Sequence, residues 1–249
     1  MNVTTPPTAA VIVIGNEVLS GRTQDRNLVF LAERLAALGI PVAEARVIRD
    51  EEAAIIAAVD ICRATYTYVF TTGGIGPTHD DITSAAIARA FGVPLLRDPR
   101  AVGLLQQHYA TDQLNEARLK MANIPQGADL LDNPVSRAPG FRLGNVFVLP
   151  GVPAIMRAMF DGLAPTLKGG PPVLSRTISA FTTEGAIALP LGEIQAEHPA
   201  VEIGSYPFVR AGRLGVSLVV RATDRAAVAA AGQAVSAMLV QAGAEPIEE

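Results

Sequence analysis

Short apolar runs alternate with polar turns and helical stripes through the first third of the chain. Residues 9–14 (Ala-Ala-Val-Ile-Val-Ile) and 66–70 (Tyr-Thr-Tyr-Val-Phe) read as strands buried on both faces, and residues 41–48 as another strand. Between them, residues 27–38 place Leu28, Leu31, Leu35 and Leu38 on one helical stripe, with Gly39 as the C-cap. Arg49-Asp50-Glu51-Glu52 leads into a second helix through Ala64, and Ile82, Ala86 and Ala90 recur at fourfold spacing in a third. Three consecutive βα units predict right-handed crossovers and a parallel sheet, hence an α/β domain.

The rhythm continues with a short run at 93–96, helical stretches around 102–109 and 114–122, a turn at 125–128 and a loop at 133–140. Residues 141–143 and 146–149 flank Gly144-Asn145 and predict a hairpin, and Pro153 opens a helix reaching about residue 163. Lys168-Gly169-Gly170-Pro171-Pro172 is the best domain boundary, dividing a domain at 1–168 from a smaller one at 172–249. In the latter, strands at 175–180, 201–208 and 214–222 alternate with helices at 184–197 and 226–241, and residues 244–248 add a short strand. The order β-α-β-β-α-(β) predicts a small ferredoxin-like α+β sandwich.

Composition narrows the function classes. A net charge of −4 gives no basic surface of the kind nucleic acid requires, and the small domain lacks a Gly-x-x-Gly clamp, so no nucleic-acid partner is expected. No apolar run approaches ~20 residues, and Met1–Pro7 lacks a basic leader, so a cytoplasmic protein without membrane contact is expected. Cys62 shares a stripe with Ile55 and Val59 and reads as a buried thiol. His79, His108 and His198 show no ligand spacing, Ser20 has no nearby base, and no Gly-Lys-Ser/Thr loop occurs.

The chemistry concentrates in Thr71-Thr72-Gly73-Gly74-Ile75-Gly76-Pro77-Thr78-His79-Asp80-Asp81-Ile82-Thr83, between a strand and a helix. Ligands of open α/β sheets bind where such loops leave the strands' carboxyl ends. Three glycines admit close backbone approach, and the next helix N-terminus favours an anion. Asp80 and Asp81 would repel a phosphate unless a divalent metal lay between them. The bland alternative is a capping box, with Thr78 as N-cap and Asp81 as its partner. Capping leaves the three glycines unexplained, which favours a site. A second polar loop, Gly15-Asn16-Glu17-Val18-Leu19-Ser20-Gly21, leaves the first strand. Asn16, Glu17, Ser20, Asp25 and Asn27 offer hydrogen bonds to a ligand, with a plain helix cap the commoner role for Asp25. Asp50 is placed as an N-cap, yet ends a strand on the same side as the glycine loop.

Those residues resemble a known pattern. The Thr71–Thr78 loop with Asp80-Asp81-Ile82-Thr83 is similar to the molybdopterin-binding fold of the MoaB/MogA proteins. More closely, the chain resembles the N-terminal part of the CinA (competence/damage-inducible) family. The shared residues are Gly15–Gly21, Asn27, Asn115 with Arg118, Asn133-Pro134-Val135, Ala138-Pro139-Gly140-Phe141 and Leu149-Pro150-Gly151-Val152-Pro153. A domain of eukaryotic FAD synthases is similar too, and the tail more weakly resembles the KH-like domain that follows in CinA proteins.

The resemblance, which spans about residues 9 to 165, implies a Rossmann-like, parallel-sheet three-layer sandwich with its pocket under Gly73–Thr78. It implies ligand contacts from Gly15, Asn16, Glu17, Ser20, Asn27, Thr72, Gly73, Gly74, Gly76, Pro77, Thr78, Thr83, Arg118, Pro150 and Gly151. A divalent metal (Mg, Mn or Co) on Asp80 and Asp81, with Asp81 and Asp50 as the catalytic carboxylates, would hydrolyse ADP-ribose or FAD. The alternative is a non-catalytic molybdopterin- or nucleotide-binding protein. A phosphorylated small molecule is the expected partner in either case, and a homo-oligomer the expected assembly. His79 stands where many CinA proteins carry Lys, and Ser136-Arg137 replace Gly-Thr, with Arg137 a substitute cation. The nicotinamide-nucleotide deamidase and FAD-synthesising domains lie outside the resemblance, so no amidase activity is expected.

Overall fold

In the computed structural model, which describes residues 6–248, the first apolar run forms β1 (Ala9–Ile14), buried along its whole length. After it come α1 (Asn16–Leu19), α2 (Asn27–Ala37), β2 (Val42–Ile48), α3 (Glu52–Thr65), β3 (Tyr68–Thr72) and α4 (Thr83–Ala90). Then follow β4 (Leu95–Arg97), α5 (Pro99–His108), α6 (Glu116–Leu119), β5 (Asn123–Pro125) and β6 (Asp129–Leu131). β7 (Gly140–Leu143), β8 (Val146–Leu149) and α7 (Pro153–Leu163) complete the first unit, Met1–Gly170.

Its main sheet has the order β2-β1-β3-β8-β7-β6, and β4 pairs separately with β5. The strands β2, β1, β3 and β8 are parallel, while β7 and β6 run antiparallel. The sheet is therefore parallel over four strands, as the βα units predict, with β7 and β6 added at one edge by antiparallel pairing, β7 through the predicted hairpin. A two-residue turn, Gly144-Asn145, can only return an antiparallel strand. Alternate residues of β1 enter two cores. Ala10, Ile12 and Ile14 join Ile55, Val59, Cys62 and Ile87, while Ala9, Val11 and Val13 join Leu31, Leu35, Met156 and Phe160. Helices thus cover both faces, giving the three layers.

Local differences from the sequence reading have tertiary causes. The first polar loop winds into the single turn α1. The 114–122 helix is only one α-turn followed by a 3-10 turn at Lys120–Ala122. Asp50 does not cap α3, whose N-cap position is Glu51 with no side-chain bond. Asp25 does act locally, accepting from the Leu28 N–H at 2.8 Å.

The second unit, Pro171–Glu249, contains β9 (Leu174–Ala180), α8 (Glu184–Glu197), β10 (Glu202–Arg210), β11 (Arg213–Ala222), α9 (Arg225–Gln241) and β12 (Ile247–Glu248). Its sheet order is β10-β11-β9-β12 with every pairing antiparallel, the ferredoxin-like arrangement. Val216, Leu218 and Val220 of β11 face its helices as one buried row. Among the described residues no helix is long and apolar enough to cross a membrane. Met1–Thr5, part of the stretch read as lacking a leader, and Glu249 lie outside the described residues.

Candidate functional site

Because β1, β2, β3 and β8 are parallel, the turns after them emerge at one end of the sheet. They enclose a cleft of about 590 Å³. Gly73 (φ +105°) passes so close to β1 that a Cβ there would lie 2.1 Å from the Ile14 carbonyl oxygen. Gly74 (φ +69°) leaves the same small gap to Thr83 Oγ1. Bonds to other elements fix the loop: Gly73 N–H donates to Leu149 O (3.1 Å), and Thr83 donates from N–H to Gly74 O and from its hydroxyl to Gly73 O, each at 3.0 Å. These two glycines therefore have a scaffold reason of their own, so their presence does not by itself favour a ligand over a cap.

Of the expected contacts, Glu17, Gly73, Gly74, Gly76, Pro77, Pro150 and Gly151 line the cleft, as do Asp50, Asp80 and Asp81. Asn16 and Ser20 line its outward continuation, of about 520 Å³, together with Arg22. Gly15, Thr72, Thr78 and Thr83 are absent from either lining. Thr72 and Thr83 are buried, and Thr83 braces the loop. Asn27, also buried, donates from its amide to Gly151 O at 2.8 Å and stitches the rim. Arg118 lies outside both linings: its guanidinium sits 4.3 Å from the centre of the Tyr109 ring and donates to Gln113 O. Tyr109, not Arg118, lines the cleft. Arg137, the expected substitute cation, lies 3.6 Å from Asp132 and does not reach the cleft lining.

Among the described residues, four carboxylates line the inner cleft, and no Lys, Arg or His does. Asp50 Oδ2 accepts from the Asn16 N–H at 2.8 Å, holding α1 against the end of β2. Asp81 Oδ2 accepts from the Thr78 N–H (2.8 Å) and from the Thr78 hydroxyl. This is one half of a capping box, but Thr78 lies five residues ahead of α4, so the pair ties the loop instead of capping the helix. Lys120 donates to Thr78 O. Hydrogen bonding from Thr78 and from its own backbone holds the Asp80 carboxyl below the usual carboxylate range, with the charges of His79 and Lys120 adding to it. Among the described residues no three His, Cys, Asp or Glu groups converge as a metal cage. Hard oxygen donors lining an open cleft suit a cation that keeps waters and takes the rest of its shell from ligand oxygens.

Several lining residues escaped the sequence reading: Thr23, Tyr109, Met121 and Ile155, while Ser136 was noted only as a departure from the family pattern. Asn133, also in the lining, was noted only as a shared motif. Its buried side chain accepts from Val135 and Ser136 N–H and donates to Ser136 Oγ and Ala138 O, clamping the loop before β7. Its Asn-Pro turn signal was visible, but its position beside the cleft was not.

Residues 10–169 match a family model described as "Probable molybdopterin binding domain", and residues 172–247 match "FAD synthase, middle domain". A protein of Pyrobaculum calidifontis is 38% identical over 212 residues, 81% of either chain. A CinA-like protein of Gloeobacter violaceus is 34% identical over 235 residues, covering 89% of this chain and 54% of its own length. This chain thus spans about half of that relative. The crystal structure of the protein CinA with unknown function from Thermoplasma acidophilum superposes with a TM-score of 0.62 at 34% identity, over 66% of this chain and 99% of that one.

Proposed function

From the premise that the chain belongs to the CinA family, its first unit a molybdopterin-binding domain of MoaB/MogA-like fold, we propose that the cleft hydrolyses a nucleotide diphosphate of the ADP-ribose or FAD kind with a divalent cation. One observation carries this reading: an inner cleft lined, among the described residues, by four carboxylates and no basic side chain. A diphosphate entering it needs a cation between itself and the acids. Asp80 and Asp81 would hold that cation. Bound there, Mg, Mn or Co neutralises phosphoryl oxygens and lowers the pKa of a water ligand. Asp50, oriented through one oxygen by the Asn16 N–H, accepts the proton of the attacking water. The new O–P bond forms at one phosphorus while the bridging oxygen departs with the other phosphate.

The test is AMP release from ADP-ribose and FAD by the metal-replete chain. Turnover that EDTA abolishes, and that Asp50→Asn lowers by about a hundredfold or more, is the expected result. No turnover across the diphosphate panel overturns the proposal.

A second reading, molybdopterin binding without turnover, is favoured by the engagement of Asp50 and Asp81 in backbone hydrogen bonds. Thermal stabilisation by molybdopterin with no product formed would support it.

A further inference from the structure

The cleft has two halves with a shared wall. Glu17, Asp50 and Asp80 line both the inner half and the outward one. Inward of them the surface is largely apolar, with Ile14, Ile75, Tyr109, Met121 and Ile155, and suits a planar ring. Outward of them stand Asn16, Ser20 and Arg22. Among the described residues, Arg22 is the one basic side chain lining either half. It is exposed and forms no ion pair with any described residue, although three acids share its half of the cleft.

The turn that carries Arg22 is built. Ser20 N–H donates to Asn16 O (2.9 Å), Gly21 N–H to Val18 O (3.1 Å) and Thr23 N–H to Glu17 O (3.0 Å). Gly21 takes the left-handed conformation, φ +74°, that folds the chain back over α1. Thr23, the next residue, lines the inner half. The backbone on either side of Arg22 is therefore held by the turn, while its side chain has no partner among the described residues.

Resting on the diphosphate reading above, we propose that Arg22 anchors an outer subsite that recognises the far phosphoryl group of the ligand, with the ring-bearing nucleoside phosphate in the inner half. A guanidinium offers a two-pronged set of N–H donors that matches phosphate oxygens. Placed beyond the acidic wall, it selects ligands long enough to cross that wall. A monophosphate fills the inner half only and gains nothing from Arg22. Arg22 is thus a specificity-determining residue, separate from the carboxylates that do the chemistry.

Titration calorimetry with Mn²⁺ tests this with two probes, AMP and α,β-methylene-ADP, whose carbon bridge resists hydrolysis. Arg22→Gln is expected to weaken α,β-methylene-ADP by about tenfold and AMP by no more than about twofold, with Arg22→Lys regaining part of the loss. A thermal melt matching the unsubstituted chain confirms the fold. Equal weakening of both probes, or of neither, overturns the role of Arg22 alone. Failure of the unsubstituted chain to bind either probe overturns the diphosphate reading itself, and the outer subsite with it.

Discussion

The loops that leave β1 and β3 border the same cleft but are held in opposite ways. The first closes on itself: α1 and its turn are linked by their own backbone bonds, and Asn16, Glu17 and Ser20 project outward, exposed. Beyond its internal Thr78–Asp81 tie, the second leans on other elements, namely Ile14, Leu149, Thr83 and Lys120. One is a platform that displays side chains, and the other a cradle that offers backbone. Substitutions in the platform should alter ligand preference with little effect on folding. Those in the cradle should act on stability first.

The largest expected effect is in the cradle. Gly74→Ala would force a Cβ against Thr83 Oγ1 in a conformation disfavoured for alanine, costing about 3 kcal/mol or more in urea denaturation. Thr83→Val, which removes the hydroxyl bound to the Gly73 carbonyl in a fully buried position, should cost about 1–3 kcal/mol by the same measurement. Where the platform is anchored to the end of β2, Asp50→Ala removes the acceptor of the exposed Asn16 N–H and should cost no more than about 1 kcal/mol, while on the proposed hydrolysis it should lower turnover far more. A stability loss from Asp50→Ala matching that from Gly74→Ala would erase the distinction between the loops.

The smallest effect is one of pH. The carboxyl of Asp80 is held below its ordinary value of 3.8, so its contribution to stability is full above that value and disappears as pH falls through the lower folded value. The urea midpoints of Asp80→Asn and the unsubstituted chain should therefore differ slightly at about pH 6 and draw together as pH falls below 3.8. A gap that widens on acidification would reverse the sign of this linkage.

What the sequence made legible follows the range of the interactions. The six residues of β1 and the leucine stripe of α2 carry their own signal, because burial on two faces, or on one stripe, dictates composition directly. The turn α1 is too short to show a period. Asp50 had two plausible local roles as a cap or a strand-end acid. Its actual hydrogen-bond partner, Asn16, lies 34 residues away and belongs to a neighbouring strand's loop. The residues of the glycine loop were legible as a group, but the reason for two of the glycines lies in Ile14 and Thr83. Arg118 was read as a cation for phosphate. The negative face of Tyr109 competes for the same guanidinium and holds it.

The bond from Asn27 to Gly151 spans 124 residues of sequence, and it has a consequence for when the molecule becomes competent. A nascent chain halted before Gly140 would already carry both acidic loops. It would still lack β8 and the turn after it, so no enclosed space would exist between those loops. Enclosure of the cleft is thus a property of a finished first unit, reached only once the chain beyond Gly151 has joined the N-terminal half.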